Sequence, residues 1–285
     1  MTYEQVLKAL SGGITVREQP EDYRAIHNRH DKGYKYLLSS KTTFIQLLQT
    51  FTKLEWTENI KEEDILLVDK SFILQDFRDK EADLIYLVKQ NKQPTLFYIL
   101  MELQSVVDFQ MPYRLLLYMV EIWRNILKDT EGNFAKTKDF KLPSIVPIVL
   151  YNGDNNWTAG KSFKEYQYYA DTFIPYIVDF QYVLIDTNRY TEEELFEIAN
   201  LVATVFLLDR KQKTDELIGR LRGLINIINK FDENEMHLFK NWLLKIVTRG
   251  IRKEDHQKVE QIITKNREVE GMISNLEETI RQGYQ

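Results

Sequence analysis

A chain of 285 residues with 44% hydrophobic content and no cysteine can bury a sizeable core but has no disulfides, thiolate zinc sites or cysteine nucleophiles. Its formal charge of −5 argues against a general nucleic-acid coating protein, which would be basic, yet leaves room for a local positive groove. The N-terminal MTYEQVLKALSGG lacks the basic start and apolar run of a secretion signal, and no apolar run nears the roughly 20 residues of a bilayer span, so the expectation is a soluble, cytoplasmic protein with no membrane partner.

Residues 1–26 read as a peripheral segment, with a short amphipathic stretch from Tyr3 to Leu10 followed by polar chain. From Tyr34 to Leu54 the apolar positions follow helical spacing, giving one helix or two with a break near Ser39-Ser40. Val68 to Phe77 and Asp83 to Val88 are short apolar runs bounded by charges, and Thr95 to Gln104 (TLFYILMELQ) reads as a strand. The polar stretch Gln90 to Pro94 joins the last two as a hairpin.

Pro112 opens a helix through about Leu127, with Leu116, Met119, Val120, Trp123 and Leu127 as its expected apolar side. LPSIVPIVLYNGD gives another buried strand, in which Pro147 predicts an edge or a bulge. Tyr182 to Asp186 is a further strand, and Thr191 with the acids after it starts a helix that runs through Leu208. Beyond Lys211 the patterns are helical. This order describes an α/β fold, a mixed sheet flanked by helices, with a core over 27–208 and a helical C-terminal region over 209–285.

Cleaving a phosphodiester needs an attacking water and stabilisation of charge at phosphorus, which a hard cation held by one or two carboxylates supplies. Asp83 begins one strand run, and Glu102 lies late in the next, an acid in an otherwise apolar strand. Tyr98, Leu100, Glu102 and Gln104 alternate onto one face, and the Leu103 carbonyl offers a further oxygen. Strand periodicity by itself equally allows Glu102 to face solvent and Asp83 to sit in a turn.

The segments HDKGYKYLLSSKTTFIQLLQTF, SFILQDFRDKEADLIYLV, YILMELQSVVDFQMPYRLLLYMVEIWRNIL and LPSIVPIVLYNGDNNW resemble, in the same order, the Rpn family of recombination-promoting nucleases. The resemblance spans roughly 27–190 and weakens beyond about Arg210. It implies a PD-(D/E)XK nuclease-like fold and a D…E-x-Q active site, which Asp83, Glu102 and Gln104 match residue by residue. The implied activity is DNA cleavage dependent on Mg²⁺ (or Mn²⁺ or Ca²⁺), with Asp83, Glu102 and the Leu103 carbonyl at the metal and a role in recombination or transposition-like exchange. Gln104 stands where the wider superfamily has lysine. An amide orients water by hydrogen bonds but adds no positive charge.

Other candidates carry weaker patterns. His30-Asp31 opens the first matching helix, where Asp31 is expected to cap it and His30 to pack. Asp186 ends a strand and is a further acid for the site, whereas Asp76 and Asp79 read as solvated. Four scattered histidines give no metal-ligand spacing, and no glycine-rich phosphate loop occurs. For DNA contact the candidates are Lys32, Lys35, Arg114, Arg124, Arg210, Lys211, Lys213, Arg220 and Arg222. The rival readings are a DNA-binding protein without turnover on a nuclease fold, and a helical module that self-associates through the C-terminal helices.

Overall fold

The computed structural model describes residues 29–68, 84–90, 93–102, 107–130, 133–210, 214–248, 256–266 and 268–283; for 29–32, 90, 93–102, 129, 214–215 and 282–283 it describes the backbone. The chain divides into two compact units. The first takes the chain up to Lys35 and Phe51–Asp186, and the second takes Tyr36–Thr50 and Thr187–Gln285.

In the first unit a five-stranded mixed sheet has the order β1-β2-β3-β4-β5. The strands are β1 (Ile65–Val68), β2 (Leu84–Gln90), β3 (Gln93–Glu102), β4 (Ser144–Tyr151) and β5 (Val183–Asp186). β1, β2 and β3 are antiparallel neighbours, while β4 runs parallel to both β3 and β5. TLFYILMELQ is therefore strand as expected, as far as Glu102. The hairpin is tighter than the sequence indicated. Gln90 pairs with Gln93, and Pro94 belongs to β3 opposite Lys89. The run expected from Val68 to Phe77 lies, beyond Val68, outside the described residues; Val68 itself ends a strand the sequence reading did not mark, Ile65–Val68, an apolar quartet entered from Glu62-Glu63-Asp64.

Pro147 creates no bulge. The β3–β4 register runs unbroken from Thr95↔Ser144 through Tyr98↔Pro147 to Glu102↔Tyr151. β5 pairing starts only at Ile148, so beside Pro147 one flank of β4 has no neighbouring strand to miss the absent N–H.

Between β3 and β4 runs α3 (Met111–Asp129), introduced after α1 (Arg29–Leu38) and α2 (Lys41–Phe51). Met111, Leu115, Tyr118, Ile122 and Ile126 of α3 pack with Val68, Ile85, Leu87, Val149 and Tyr182 as one core. The expected stripe was rotated from this one, since Val120 and Leu127 are exposed. The sequence YRLLLYMVEIWRNIL carries apolar residues on two adjoining sides, and packing against the sheet selects between them. Trp123, at the boundary, donates its indole N–H to the Pro143 carbonyl at 2.9 Å. On the sheet, Leu84 to Val88 of β2 and Ile148 to Tyr151 of β4 are buried on both faces, which is why they read as continuous apolar runs.

The second unit is helical. It holds α4 (Glu192–Ile198), α5 (Leu201–Leu208), α6 (Thr214–Gly223), α7 (Ile225–Ile228), α8 (Glu233–Val247), α9 (His256–Lys265) and α10 (Val269–Gly283). The break near Ser39-Ser40 separates α1 from α2, and residues 36–50 pack with these helices. Asn241 donates to the Tyr36 hydroxyl at 2.8 Å, and Asn200 donates to Thr50 Oγ1 at 3.2 Å. By compactness the chain thus divides at Asp186, where the sequence reading drew its line at 208, and 36–50 joins the helical side.

The single helix expected from Thr191 to Leu208 is two. Thr191 and Glu194 form the anticipated capping box, but Ala199 turns left-handed with φ 53° and Asn200 caps a new helix by accepting from the Ala203 N–H at 2.9 Å. All eight residues of α5 are buried, so LVATVFLL is apolar on every side because it has no solvent face.

Candidate functional site

The sheet brings three strand ends together. β3, β4 and β5 are parallel, and Glu102, Tyr151 and Asp186 are register partners in one row at their carboxyl ends. β2 is antiparallel to β3, so its start lies at that same end: Leu84, the residue after Asp83, pairs with Ile99. Carboxyl ends of parallel strands are where open α/β sheets place ligands. Asp83, Leu103 and Gln104 lie outside the described residues, as do Asp76 and Asp79, and Glu102 is described by its backbone. Asp186, half-buried, takes its place in the row with Glu102.

Tyr151, between the two acids in register, is a feature the sequence reading quoted within YNGDNNW but gave no role. Its hydroxyl donates to the Asn155 carbonyl at 3.0 Å, and its ring meets Trp157 edge-on with centroids 5.0 Å apart. Trp157 donates to the Tyr182 hydroxyl at 2.9 Å, which donates to the Gly160 carbonyl at 2.7 Å. Burial pushes the Tyr182 phenol up to about 12; the Trp157 hydrogen bond opposes this, and the charges of Glu165 and Asp108 add to it. These neutral, satisfied aromatics form a fixed wall beside the strand ends. Tight residue spacing after a strand, Y-N-G followed by W, was the available signal.

The family described as Putative transposase, YhgA-like, matches residues 28–238. The chain belongs to this family. Among its relatives, the recombination-promoting nuclease RpnC of Escherichia coli (strain K12) is 21% identical over 201 residues, covering 70% of this chain and 64% of RpnC. RpnD of Escherichia coli O157:H7 is 22% identical over 200 residues, covering 70% of this chain and 74% of RpnD. The match thus spans less than two thirds of RpnC's own length. No solved structure matches at a significant level.

Five of the arginines expected to contact DNA have partners within the chain. Arg114 pairs with Asp108 at the start of α3, and Arg124 pairs with Glu121 one turn away at 2.6 Å. In the helical unit Arg220 holds Glu192 at 2.6 Å, Arg222 pairs with Glu277, and Arg210 donates to the Tyr190 carbonyl. Burial lowers the Arg210 pKa. Arg220 and Arg222 thus tie α6 to α4 and α10. Lys211 and Lys213 lie outside the described residues, and Lys32 is described by its backbone.

Asp31 differs from expectation, while His30 is described by its backbone. α1 already begins at Arg29, so Asp31 stands within its first turn and not at the cap. Among the described residues no group of three His, Cys, Asp or Glu is placed to hold a metal, and no helix is long and apolar enough to cross a membrane.

Proposed function

We propose that the chain is a divalent-metal-dependent DNA endonuclease of the PD-(D/E)XK type. Its reaction is phosphodiester hydrolysis in the service of DNA recombination or transposition-like exchange. The observation that carries the reading is the β2–β3 pairing. It brings the start of β2, directly after Asp83, to the same end of the sheet as Glu102. The names of the nuclease relatives support the same reaction class.

The donor chemistry fits a hard cation. Asp83, Glu102 and the Leu103 carbonyl are oxygen ligands of the kind Mg²⁺ (or Mn²⁺ or Ca²⁺) prefers, and Asp186 adds a further acid in the row. When bound, such an ion supplies electrostatic stabilisation of the charge that develops at phosphorus. Gln104 orients the attacking water through its amide. A mixed sheet with α3 packed on it is compatible with that reading.

The deciding experiment is nicking of supercoiled plasmid by purified protein, with Mg²⁺ and with EDTA. Metal-dependent nicking that disappears in Glu102→Ala supports the proposal. Equal nicking by a correctly folded Glu102→Ala protein overturns the site. Gln104 in place of lysine favours one second reading, a DNA-binding protein without turnover, and DNA binding with no cleavage in any metal would establish that instead.

A further inference from the structure

Between β4 and β5 the first unit carries a loop whose neck is closed. Ser162 and Gln181 form an isolated bridge, and the Phe163 N–H donates to the Phe180 carbonyl at 2.9 Å. The Phe163 and Phe180 rings stack with centroids 5.6 Å apart. Inside the neck, Gln167 donates to the Phe163 and Val178 carbonyls, and Lys164 binds Asp171 at 2.7 Å. These cross-ties give the loop a defined shape.

All twelve exposed large hydrophobic residues among those described belong to the first unit, and they fall into two groups. Seven lie on the loop between Tyr166 and Val178, with Tyr168 97% and Tyr176 87% exposed. The other five are Phe109, Tyr113, Val120, Leu127 and Leu142. Tyr113, Val120 and Leu127 recur every seven residues along α3, so they share one face, opposite the buried one of Leu115 and Ile122. The Trp123 N–H, by holding the Pro143 carbonyl, brings Leu142 to the same helix. Apolar surfaces of this extent mark places where another molecule sits.

The two surfaces are opposite in charge. From Ser162 to Phe180 the loop holds Lys164 against Glu165, Asp171 and Asp179, a formal charge of 1 − 3 = −2. All three acids are exposed, while Lys164 is partly buried and already paired with Asp171. Along Met111–Asp129, α3 holds Arg114, Arg124 and Lys128 against Glu121 and Asp129, a formal charge of 3 − 2 = +1. Its exposed charges among the described side chains are Arg124 and Lys128, both basic. The two surfaces also adjoin one core, since Phe180 at the loop's neck packs on the cluster that α3 buries.

We infer that a second copy of the chain covers both surfaces, the loop of each protomer lying on the outer face of α3 of the other. A two-fold axis makes this contact twice and buries both apolar groups in one step. Acids of the loop then face bases of α3, and the aromatic side chains fill the middle of the interface. A different partner would have to offer a basic apolar surface to the loop and an acidic apolar one to α3. The chain itself already carries that pair.

The test is sedimentation equilibrium of the full chain at micromolar concentration, where the wild type should be a dimer. One charge-reversed variant carries Arg124→Glu and Lys128→Glu on α3; the other carries Asp171→Lys on the loop. Each by itself sets like charges at both contacts and should weaken the dimer by about tenfold or more. Mixed in equal amounts, the two variants should recover it. The mixed dimer pairs an unchanged loop with an unchanged α3, and a reversed loop with a reversed α3. A misfolded variant could not produce that recovery. Val120→Ser and Tyr176→Ser, which leave charge alone, should each weaken the dimer as well. A monomeric wild type overturns the inference. So does a dimer that either reversal leaves intact, the result expected of self-association through the helical unit. Weakening by both reversals without recovery in the mixture overturns the pairing of loop with α3.

Discussion

Gly153 and Tyr151 occupy the same space to within a methyl group: a Cβ on Gly153 would fall 2.1 Å from the Tyr151 hydroxyl oxygen and 2.3 Å from the ring carbon bearing it. Tyr151 is the register partner of Glu102, so this glycine lets the chain fold back over the row of strand ends. Gly153→Ala should force the ring away from Trp157 and break its hydrogen bond to Asn155. The expected cost is about 1–3 kcal/mol, seen as a lower thermal midpoint. Gly219→Ala, in α6 with open space around the added Cβ, should act in the opposite sense by up to about 1 kcal/mol. If Gly153→Ala leaves the midpoint unchanged or raises it, the packing at Tyr151 is misassigned.

Loss of either acid of the proposed metal site should be far more severe for activity than for folding. Asp83→Ala and Glu102→Ala should each abolish metal-dependent nicking while circular dichroism stays unchanged. If both acids share the proposed site, removing one carboxylate should leave stability without metal equal or raised. Asp186→Asn should lower nicking without abolishing it, because Asp186 is two strands from Glu102, about 9.6 Å at the usual strand spacing. Full activity in Asp186→Asn would remove it from the site.

Gln104→Ala should lower the nicking rate less than loss of either acid, with an upper limit of about 10²–10³ for one positioned hydrogen-bond donor. Gln104→Lys should retain activity or gain some, since it restores the positive charge of the wider superfamily. The measurement is initial rate on supercoiled plasmid at saturating Mg²⁺. A dead Gln104→Lys beside a fully active Gln104→Ala would take Gln104 out of the chemistry.

Tyr182 sets a limit on alkaline stability. Its folded pKa is raised from the usual 10.0 to about 12 by burial, so the neutral phenol is the form the fold favours. The stability it contributes is whole below pH 10 and is lost as pH climbs from there through 12. Tyr182→Phe should cost about 1–3 kcal/mol near neutrality, because the Trp157 N–H and the Gly160 carbonyl lose their partner. The gap between variant and wild type should narrow above pH 10, where only the wild type titrates at this position. Urea unfolding across that range provides the check, and two parallel curves would contradict it.

Much of the sheet was legible because local composition decides it. β-branched and aromatic runs separated by a short polar stretch specify a hairpin, and β2 and β3 follow from that with little help. The cap at Thr191 was equally local, needing only Glu194 three residues on. Family membership was legible too, and the family model matches residues 28–238.

What the sequence by itself determined, then, was which stretches are strand or helix and which residues can carry chemistry, for those properties depend on neighbours within a few positions. Tertiary structure alone decided the rest. α3 has two adjoining apolar sides, and contact with β2 and β4 chose the one with Leu115 and Ile122. The helix break at Ala199 followed from Asn200 finding both a backbone N–H to cap and Thr50 to bind. Arg220 and Arg222 look like free cations in sequence, but Glu192 and Glu277 lie 28 and 55 residues away along the chain and beside them in space. The row of Glu102, Tyr151 and Asp186 likewise exists only through strand register, because hydrogen bonds between strands align residues that no sequence spacing relates.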